Sequence, residues 1–526
     1  LLKYNITPFS AYSKVVWLAS QGDSLAYVDV TIRIYFTLLL VLAGLMFLGL
    51  MSVNVPTDHP LYHAYSEMAA EYGITLDINS GDAVARQTMA VSIFAAITLG
   101  TLMFWRFRLA IALIGISMIL AFGIAPLEMV IRFMGIDIIV FLMGMFIVIE
   151  YMRRTGALRY VMIKTLKSFG SRPWLLLVVI LLLSMAMSAL VGEVASIVFI
   201  TSLILDISAL MGLNPIPLVI LSVFATNIGS TATVLGNPIG VYVAVRAGLT
   251  FVDFIRWSLP IALVNMLVIM AIAWLWLKKR LEAKASELDK DKLASTVLEM
   301  EKELDMGLVK KGWTLFALLI AFISLHGVFE GLLGLAPDTL LIAVPLVFAG
   351  AVLLIERGRA REYVEHGVDW WTLSFFMFLF SAAACLEFTG VTYKLAYVIE
   401  SVAGSGITVT TTIIVLTVLT WITAVLSGFV DNMPIIAAML PVSKALYQIG
   451  LPGSYSLWWG LVQGGCLGGN LTMVGSTANI VALGVLERAR GITVSFKEWF
   501  KVGLLTVVAT LVVAELLLIV QFPLMP

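Results

Sequence analysis

A chain of 526 residues that is 61% hydrophobic and only 13% charged cannot be an ordinary soluble domain, because such domains are about half apolar and about a quarter charged. Lipid-facing surface accommodates the excess, so this composition, with a mean hydropathy of +1.02, predicts an all-α, multi-pass integral protein of the cell membrane. Thirty-three basic residues balance thirty-three acidic ones, which gives no reason to expect a nucleic-acid partner.

In chain order, residues 1–30 are mixed in polarity and do not read as an ordinary signal peptide. Apolar spans then fall at 34–52, 87–104, 108–125, 131–150, 173–190, 194–209, 214–230, 235–248, 257–277, 312–330, 337–354, 370–387, 410–428, 432–449, 457–472, 475–489 and 502–521. Crossing the hydrocarbon takes about 20 apolar residues. Several spans are shorter than that and come in adjacent pairs, which predicts broken helices and re-entrant hairpins.

Charge assigns the sides. The stretch 151–172 carries Arg153, Arg154, Arg159, Lys164, Lys167 and Arg172 and no acid of its own, a cytoplasmic signature. Arg106, Arg108 and the Arg357, Arg359, Arg361 cluster read as inside too. The loop 53–85 has Asp58, Glu67, Glu71, Asp77 and Asp82 with no Lys or Arg and is expected outside. Its His59 and His63, beside Asp58, read as loop surface rather than a metal site; His326 and His366 stand apart. Residues 278–311 form the one long polar stretch, with nine basic and eight acidic residues interspersed. They are expected to be one or two cytoplasmic surface helices connecting two halves.

Those halves repeat. SALVGEVASIVFI (188–200) aligns with SGFVDNMPIIAAM (427–439), and the same offset of 239 residues sets TATVLGNPIG (231–240) on NLTMVGSTAN (470–479). With a shift of three, FVDFIRW (251–257) meets TVSFKEW (493–499). The charge pattern starts the first copy inside and the second outside, so the repeats are expected to be inverted, a recurring design in secondary transporters. The segments are a leading portion with a transmembrane hairpin (1–105), repeat one (106–277), linker and connecting helix (278–336) and repeat two (337–526).

Four polar breaks interrupt the apolar runs: VGEVAS (191–196), TNIGSTATVLGNP (226–238), VDNMP (430–434) and GGCLGGNLTMVGSTAN (464–479). Unpaired backbone in hydrocarbon costs several kcal/mol per group, so such breaks persist where protein, water or a ligand satisfies them. Broken helices aim their ends at ions. Glycines 464, 465, 468 and 469 are also what close helix packing would require. Glu193 and Asp431 lie inside apolar runs, where a charged carboxylate costs at least about 2.5 kcal/mol; they are expected to handle Na⁺ or protons, or to be neutral structural acids. Arg246 and Lys444 read as snorkelling ends, while Asp206 and Glu387 give weaker signals. Trp174, Trp257, Trp370, Trp371 and Trp499 read as interfacial anchors. Cys385 and Cys466 lie in apolar surroundings and suggest no disulfide.

GGNLTMVGSTANIVALGVLERARGITVSFKEWFKVG (468–503), FATNIGSTATVLGNPIGV (224–241) and VDNMPIIAAMLPV (430–442) resemble the ion transporter superfamily. That superfamily includes arsenite permeases, NhaD-type sodium/proton antiporters, the melanosomal P protein, and citrate and dicarboxylate carriers. The likeness spans about 106–526 and is nearest to the P protein and arsenite permease branch. It implies a scaffold part and a mobile part in each repeat, an elevator-like motion and a homodimer. By motif position it implies ion or substrate contacts at Glu193, Asn227, Thr231, Asn237, Asp431, Asn432, Asn470, Thr472, Ser476 and Asn479, with Na⁺ at Glu193, Asn227, Asp431 and Asn470. Relatives often carry asparagine or aspartate where this chain has Glu193, and the Ser-Asn-Thr pattern of sodium-coupled dicarboxylate carriers is not present in that form. The extra carboxylate tilts the reading towards cation handling. The expected function is secondary transport, either Na⁺/H⁺ antiport or cation-coupled movement of a small inorganic or organic anion. An ion channel on the same scaffold is the alternative. No cofactor beyond the coupling ion is implied. A membrane-embedded enzyme lacks a nucleophile arrangement, and GxxxxGK[ST] is absent.

Overall fold

The computed structural model describes residues 25–74, 76–169, 172–285, 290–404 and 408–526. Most of the 1–30 segment and residues 286–289 of the polar linker lie outside the described residues. Within them the secondary structure is helical throughout. Nine of those helices are long and apolar enough to cross a membrane, and the protein is a multi-pass integral membrane protein.

The leading portion holds α1 (Leu25–Ser52), α2 (Pro60–Glu71) and α3 (Gly81–Met103). Then come α4 (Arg108–Ala121), α5 (Leu127–Arg132), α6 (Ile136–Arg154), α7 (Ala157–Phe169), α8 (Pro173–Val191), α9 (Glu193–Met211), α10 (Pro215–Gly229) and α11 (Pro238–Ala247). After a short turn and a π-helical stretch at Phe254–Ser258 follows α12 (Leu259–Ala285). The polar region supplies α13 (Lys290–Lys302), followed by α14 (Met306–Ser324) and α15 (His326–Leu333). The last stretch is α16 (Thr339–Ile355), α17 (Ala360–Glu365), α18 (Trp370–Phe388), α19 (Val391–Ala403), α20 (Val409–Phe429), α21 (Asn432–Gln448), α22 (Ser456–Gly468), α23 (Thr477–Arg490) and α24 (Phe496–Gln521).

Helices α4–α12 thus recur as α16–α24. Three boundaries repeat at 239 residues: the starts of α9 and α21 at Glu193 and Asn432, the ends of α10 and α22 at Gly229 and Gly468, and the starts of α11 and α23 at Pro238 and Thr477. Local chemistry explains the stops. Gly192, at φ 94° and ψ 151°, turns α8 into α9 in backbone that a side chain would strain. Asn237 and Ser476 cap the second half-helices by accepting from Gly240 N and Ala478 N.

The chain forms two compact units. One contains residues up to Gly135 with Ser374–Thr411 and Ala437–Leu451. In it α3 packs on α1 and α4, and the buried Lys394 donates to Leu50 O at 2.9 Å. Lys444 and Glu387 form an ion pair at 3.1 Å, so Lys444 has a partner beyond the lipid interface. His59 Nδ1 caps α2 by accepting from Leu61 N, and its Nε2 lies 3.3 Å from Glu400, which gives it a structural role in the loop.

The other unit comprises Ile136–Leu373, Thr412–Ile436 and Pro452–Pro526 and holds all ten candidate residues. The linker helix α13 packs on α7, and ion pairs join the acids of the linker to α7: Lys167 with Glu301 at 2.9 Å and Arg159 with Glu303 at 2.5 Å. Arg246 pairs with Asp137 at 3.7 Å. Gly460, Gly464 and Gly468 put a bare helix face of α22 against α20: a Cβ on Gly464 would sit 2.6 Å from Thr420 O, and one on Gly468 would collide with Ala424 O. Gly229 of α10 meets Met185 O of α8 in the same way, 239 residues earlier. Small residues permit this approach between membrane helices.

Candidate functional site

Each break is stapled to its own hairpin tip. Thr233 Oγ1 donates to Ala189 O, and Thr472 Oγ1 donates to Gly428 O at 2.6 Å. Donor and acceptor both recur at 239 residues. The same hydroxyls accept from Leu235 N at 3.1 Å and Val474 N at 3.3 Å. Glu193 N donates to Gly236 O at 2.9 Å, so the tip and the break of repeat one are also joined through backbone.

Between these staples lies a cluster of amides. Asn227, at the end of α10, donates through Nδ2 to Asn470 Oδ1 at 2.7 Å and to Asn479 Oδ1 at 3.0 Å. Its own Oδ1 accepts from Ser476 Oγ at 3.2 Å. Asn479 Nδ2 in turn donates to the carbonyls of Gly469 and Thr472, each at 2.8 Å. On the other side Asn237 Nδ2 faces Ser230 Oγ at 3.1 Å, Cys466 Sγ at 3.2 Å and Glu193 Oε2 at 3.4 Å. The Asn227–Ser476 contact and the Cys466–Asn237 contact join equivalent positions, since 227 corresponds to 466 and 237 to 476 at the offset of 239. The site is therefore two-fold in layout and asymmetric in chemistry.

Two carboxylates belong to it. Glu193 and Asp431 are 4% and 3% exposed. Thr477 Oγ1 donates to Asp431 at 3.2 Å. Two amide donors, Asn470 Nδ2 and Asn432 Nδ2, are buried with no protein partner. A buried polar group without a partner is costly, and donors of this kind are suited to a ligand oxygen. Among the described residues no group of three or more His, Cys, Asp or Glu is placed to hold a metal ion.

Of the ten residues singled out by sequence, Asn227, Asn470, Ser476 and Asn479 are in direct contact, Asn237 touches Glu193, and Asp431 is joined through Thr477. Thr231 Oγ1 turns back to Ile228 O at 2.9 Å, Thr472 serves as a staple, and Asn432 Nδ2 contacts no protein acceptor. Sequence reasoning missed Ser230, Thr233, Cys466, Ser258 and Gln463. Cys466 and Thr233 occupied equivalent positions to Asn227 and Thr472, so the duplication carried that signal. Trp499 is a correction. It is fully buried and donates from Nε1 to Asn470 O at 3.1 Å, so it faces the site and not the lipid interface; Trp257 is buried too.

The citrate transporter family model matches residues 93–464. The chain is 31% identical over 388 residues to the uncharacterized transporter Rv2684 of Mycobacterium tuberculosis, covering 73% of this chain and 86% of the relative. It is 32% identical over 396 residues to the 46 kDa membrane protein of Mycobacterium leprae, covering 74% and 87%. It is 25% identical over 445 residues to the human P protein, covering 71% of this chain and 52% of that longer protein. With a match across most of its length and relatives of this kind, the chain belongs to the citrate transporter family and is a secondary transporter.

Proposed function

We propose that the protein is a cation-coupled transporter in which Na⁺ or H⁺ occupies the neighbourhood of Glu193 and Asp431, with Na⁺/H⁺ exchange as its basic cycle. One observation carries this reading: two buried carboxylates, Glu193 against Asn237 and Asp431 against Thr477, stand at the starts of α9 and α21 beside a cluster of amides contributed by both repeats. A carboxylate buried in the membrane interior resists ionisation unless a cation or proton joins it. Asn227 and Asn470, with Glu193 and Asp431, are the proposed Na⁺ surroundings. Thr231, Asn237, Asn432, Thr472, Ser476 and Asn479 shape or contact the site.

The two repeats are proposed to run in opposite directions, with α8–α9 and α20–α21 as re-entrant hairpins and α10–α11 and α22–α23 as broken membrane helices. Alternation would come from an elevator-like slide within a homodimer, as in the arsenite permease and NhaD-type branch that the motifs resemble. The recurring helix boundaries and the positive-inside charge pattern support this.

A second reading is cation-coupled transport of a carboxylate-bearing anion such as citrate. The partnerless donors Asn470 Nδ2 and Asn432 Nδ2 favour it, as does the description of the family. Purified protein in liposomes, driven by a Na⁺ gradient and read by internal pH and by labelled citrate uptake, separates the two. Exchange predicts alkaline or acid shifts without citrate. Symport predicts citrate accumulation that requires the cation. Cation-driven movement that survives unchanged in both Asp431→Asn and Glu193→Gln would overturn both readings.

A further inference from the structure

The helices that follow the two breaks each send a side chain back to them. Ser258, the last residue of the π-helical stretch, donates from Oγ to Thr231 O at 2.6 Å. Trp499, in the first turn of α24, donates from Nε1 to Asn470 O at 3.1 Å. Thr231 and Asn470 are 239 residues apart. Each of these donors is met by the opposite repeat. Gln463 Nε2 of α22 donates to Ser258 Oγ at 2.8 Å. The Phe224 ring of α10 stands edge-on to Trp499 at 5.6 Å between centroids. Phe224 and Gln463 are again 239 residues apart, and all six side chains are fully buried.

The result is a pair of crossed braces, each running from a break carbonyl to the helix behind it and on to the half-helix of the other repeat. One is built of hydrogen bonds, the other of an indole N–H and an aromatic contact. Gly503 makes the second possible: a Cβ there would lie 2.5 Å from Asn470 O and 2.7 Å from Leu471 O, so only a bare position lets α24 bring Trp499 this close. The π-helical stretch adds a residue to its turn and changes the direction in which the following side chains point; Phe254 within it packs edge-on against Trp459 of α22 at 5.0 Å. Tying the carbonyl of Asn470 also fixes its side chain, whose Oδ1 is held by Asn227 while Nδ2 stays available.

We infer that Gln463 and Trp499 are positioning residues of the transport site: Gln463 reaches from the opposite repeat through Ser258 to the break at Thr231, and Trp499 holds the break of its own repeat at Asn470 while Phe224 of the other repeat backs its ring, so that Asn470 and the residues around Thr231 are aimed at the transported ion. This inference rests on the proposed coupled-ion reading, and the test separates the two. Cys385 and Cys466 are the chain's two cysteines, so Cys385→Ala leaves Cys466, 3.2 Å from Asn237, as a native reporter. Methyl methanethiosulfonate labelling of Cys466 in the reconstituted protein reads site geometry without any transport assay. Trp499→Phe keeps an aromatic ring at that position and removes the indole N–H with part of the bicycle; Gln463→Leu cuts the other brace at its link to Ser258. Loss of a buried hydrogen bond predicts labelling faster by about five- to tenfold in either variant. In Na⁺-driven flux it predicts a half-saturation raised by about the same factor with maximal rate changed by less than about twofold. A purely structural role predicts lower thermal stability and lower maximal rate with half-saturation unchanged, and that result overturns the inference. If the native protein shows no Na⁺-driven flux, the coupled-ion reading falls, and labelling alone decides: unchanged Cys466 reactivity in both folded variants overturns positioning.

Discussion

Asn227 and Asn470 stand amide to amide, with Asn227 Nδ2 2.7 Å from Asn470 Oδ1 across 243 residues of sequence. Neither side chain sees solvent. The contact joins the end of the first half-helix of one repeat to the break of the other, and Asn479 and Ser476 complete it. In a low-dielectric interior such a network is strong when satisfied and costly when cut.

Replacing Asn227 by alanine removes two donated bonds and one accepted bond at once. Stranded buried partners cost about 1–3 kcal/mol each. Initial transport rates in proteoliposomes, at equal reconstituted protein, are expected to fall at least about tenfold, with the protein still monodisperse in detergent. A rate within twofold of native would show that the amide contact is dispensable.

The threonine staples form a matched pair. Thr233→Val and Thr472→Val each release a hairpin tip from its break. Each is expected to destabilise the protein by about 1–2 kcal/mol, to a similar extent, in denaturant unfolding in micelles. A clear loss for one and none for the other would contradict equivalent roles.

Helix α22 owes its fit on α20 to bare positions. Gly464→Ala brings a methyl group to 2.6 Å from Thr420 O, and overpacking of this kind costs about 1–3 kcal/mol. Gly484→Ala, whose nearest neighbour is the tip of Arg488 at 3.7 Å, is the control and should be neutral or stabilising by up to about 1 kcal/mol. Thermal melts of the two variants side by side make the comparison.

Asp338 predicts a pH effect away from the site. It precedes α16 at φ 63°, and burial, reinforced by Glu330 and Asp137 and opposed by His326, pushes its carboxyl up to about 6. A raised acid favours the fold when protonated. Its contribution is therefore fully present below about pH 4 and lost as pH rises through about 6. Asp338→Asn should flatten this part of the melting-temperature profile between pH 4.5 and 7.5, gaining relative to native at the upper end. An unchanged slope would mean that the group titrates normally.

Much of the architecture was legible because its signals are local or repeated. The 239-residue offset seen in the glycines and asparagines reappears as shared helix boundaries at Glu193 and Asn432 and at Pro238 and Thr477. Gly192 and the caps Asn237 and Ser476 mark the breaks by their own chemistry. What sequence could not supply was direction across the fold. A tryptophan at a helix start reads alike whether it meets lipid or Asn470, so Trp499 reads as an anchor from sequence alone. Gln463 and Ser258 sit in apolar runs and gain meaning only from each other. Thr231 looked like a site residue by position, yet its hydroxyl closes on its own helix end.

The most direct measurement is the reversal point of proton flux in proteoliposomes under imposed Na⁺ and pH gradients. A coupled site at Glu193 and Asp431 predicts that the Na⁺ gradient which nulls proton movement shifts in a fixed ratio with the pH gradient, and that Asp431→Asn abolishes the coupling. Proton flux that reverses with its own electrochemical gradient alone, whatever the Na⁺ gradient, would contradict coupled transport at this site.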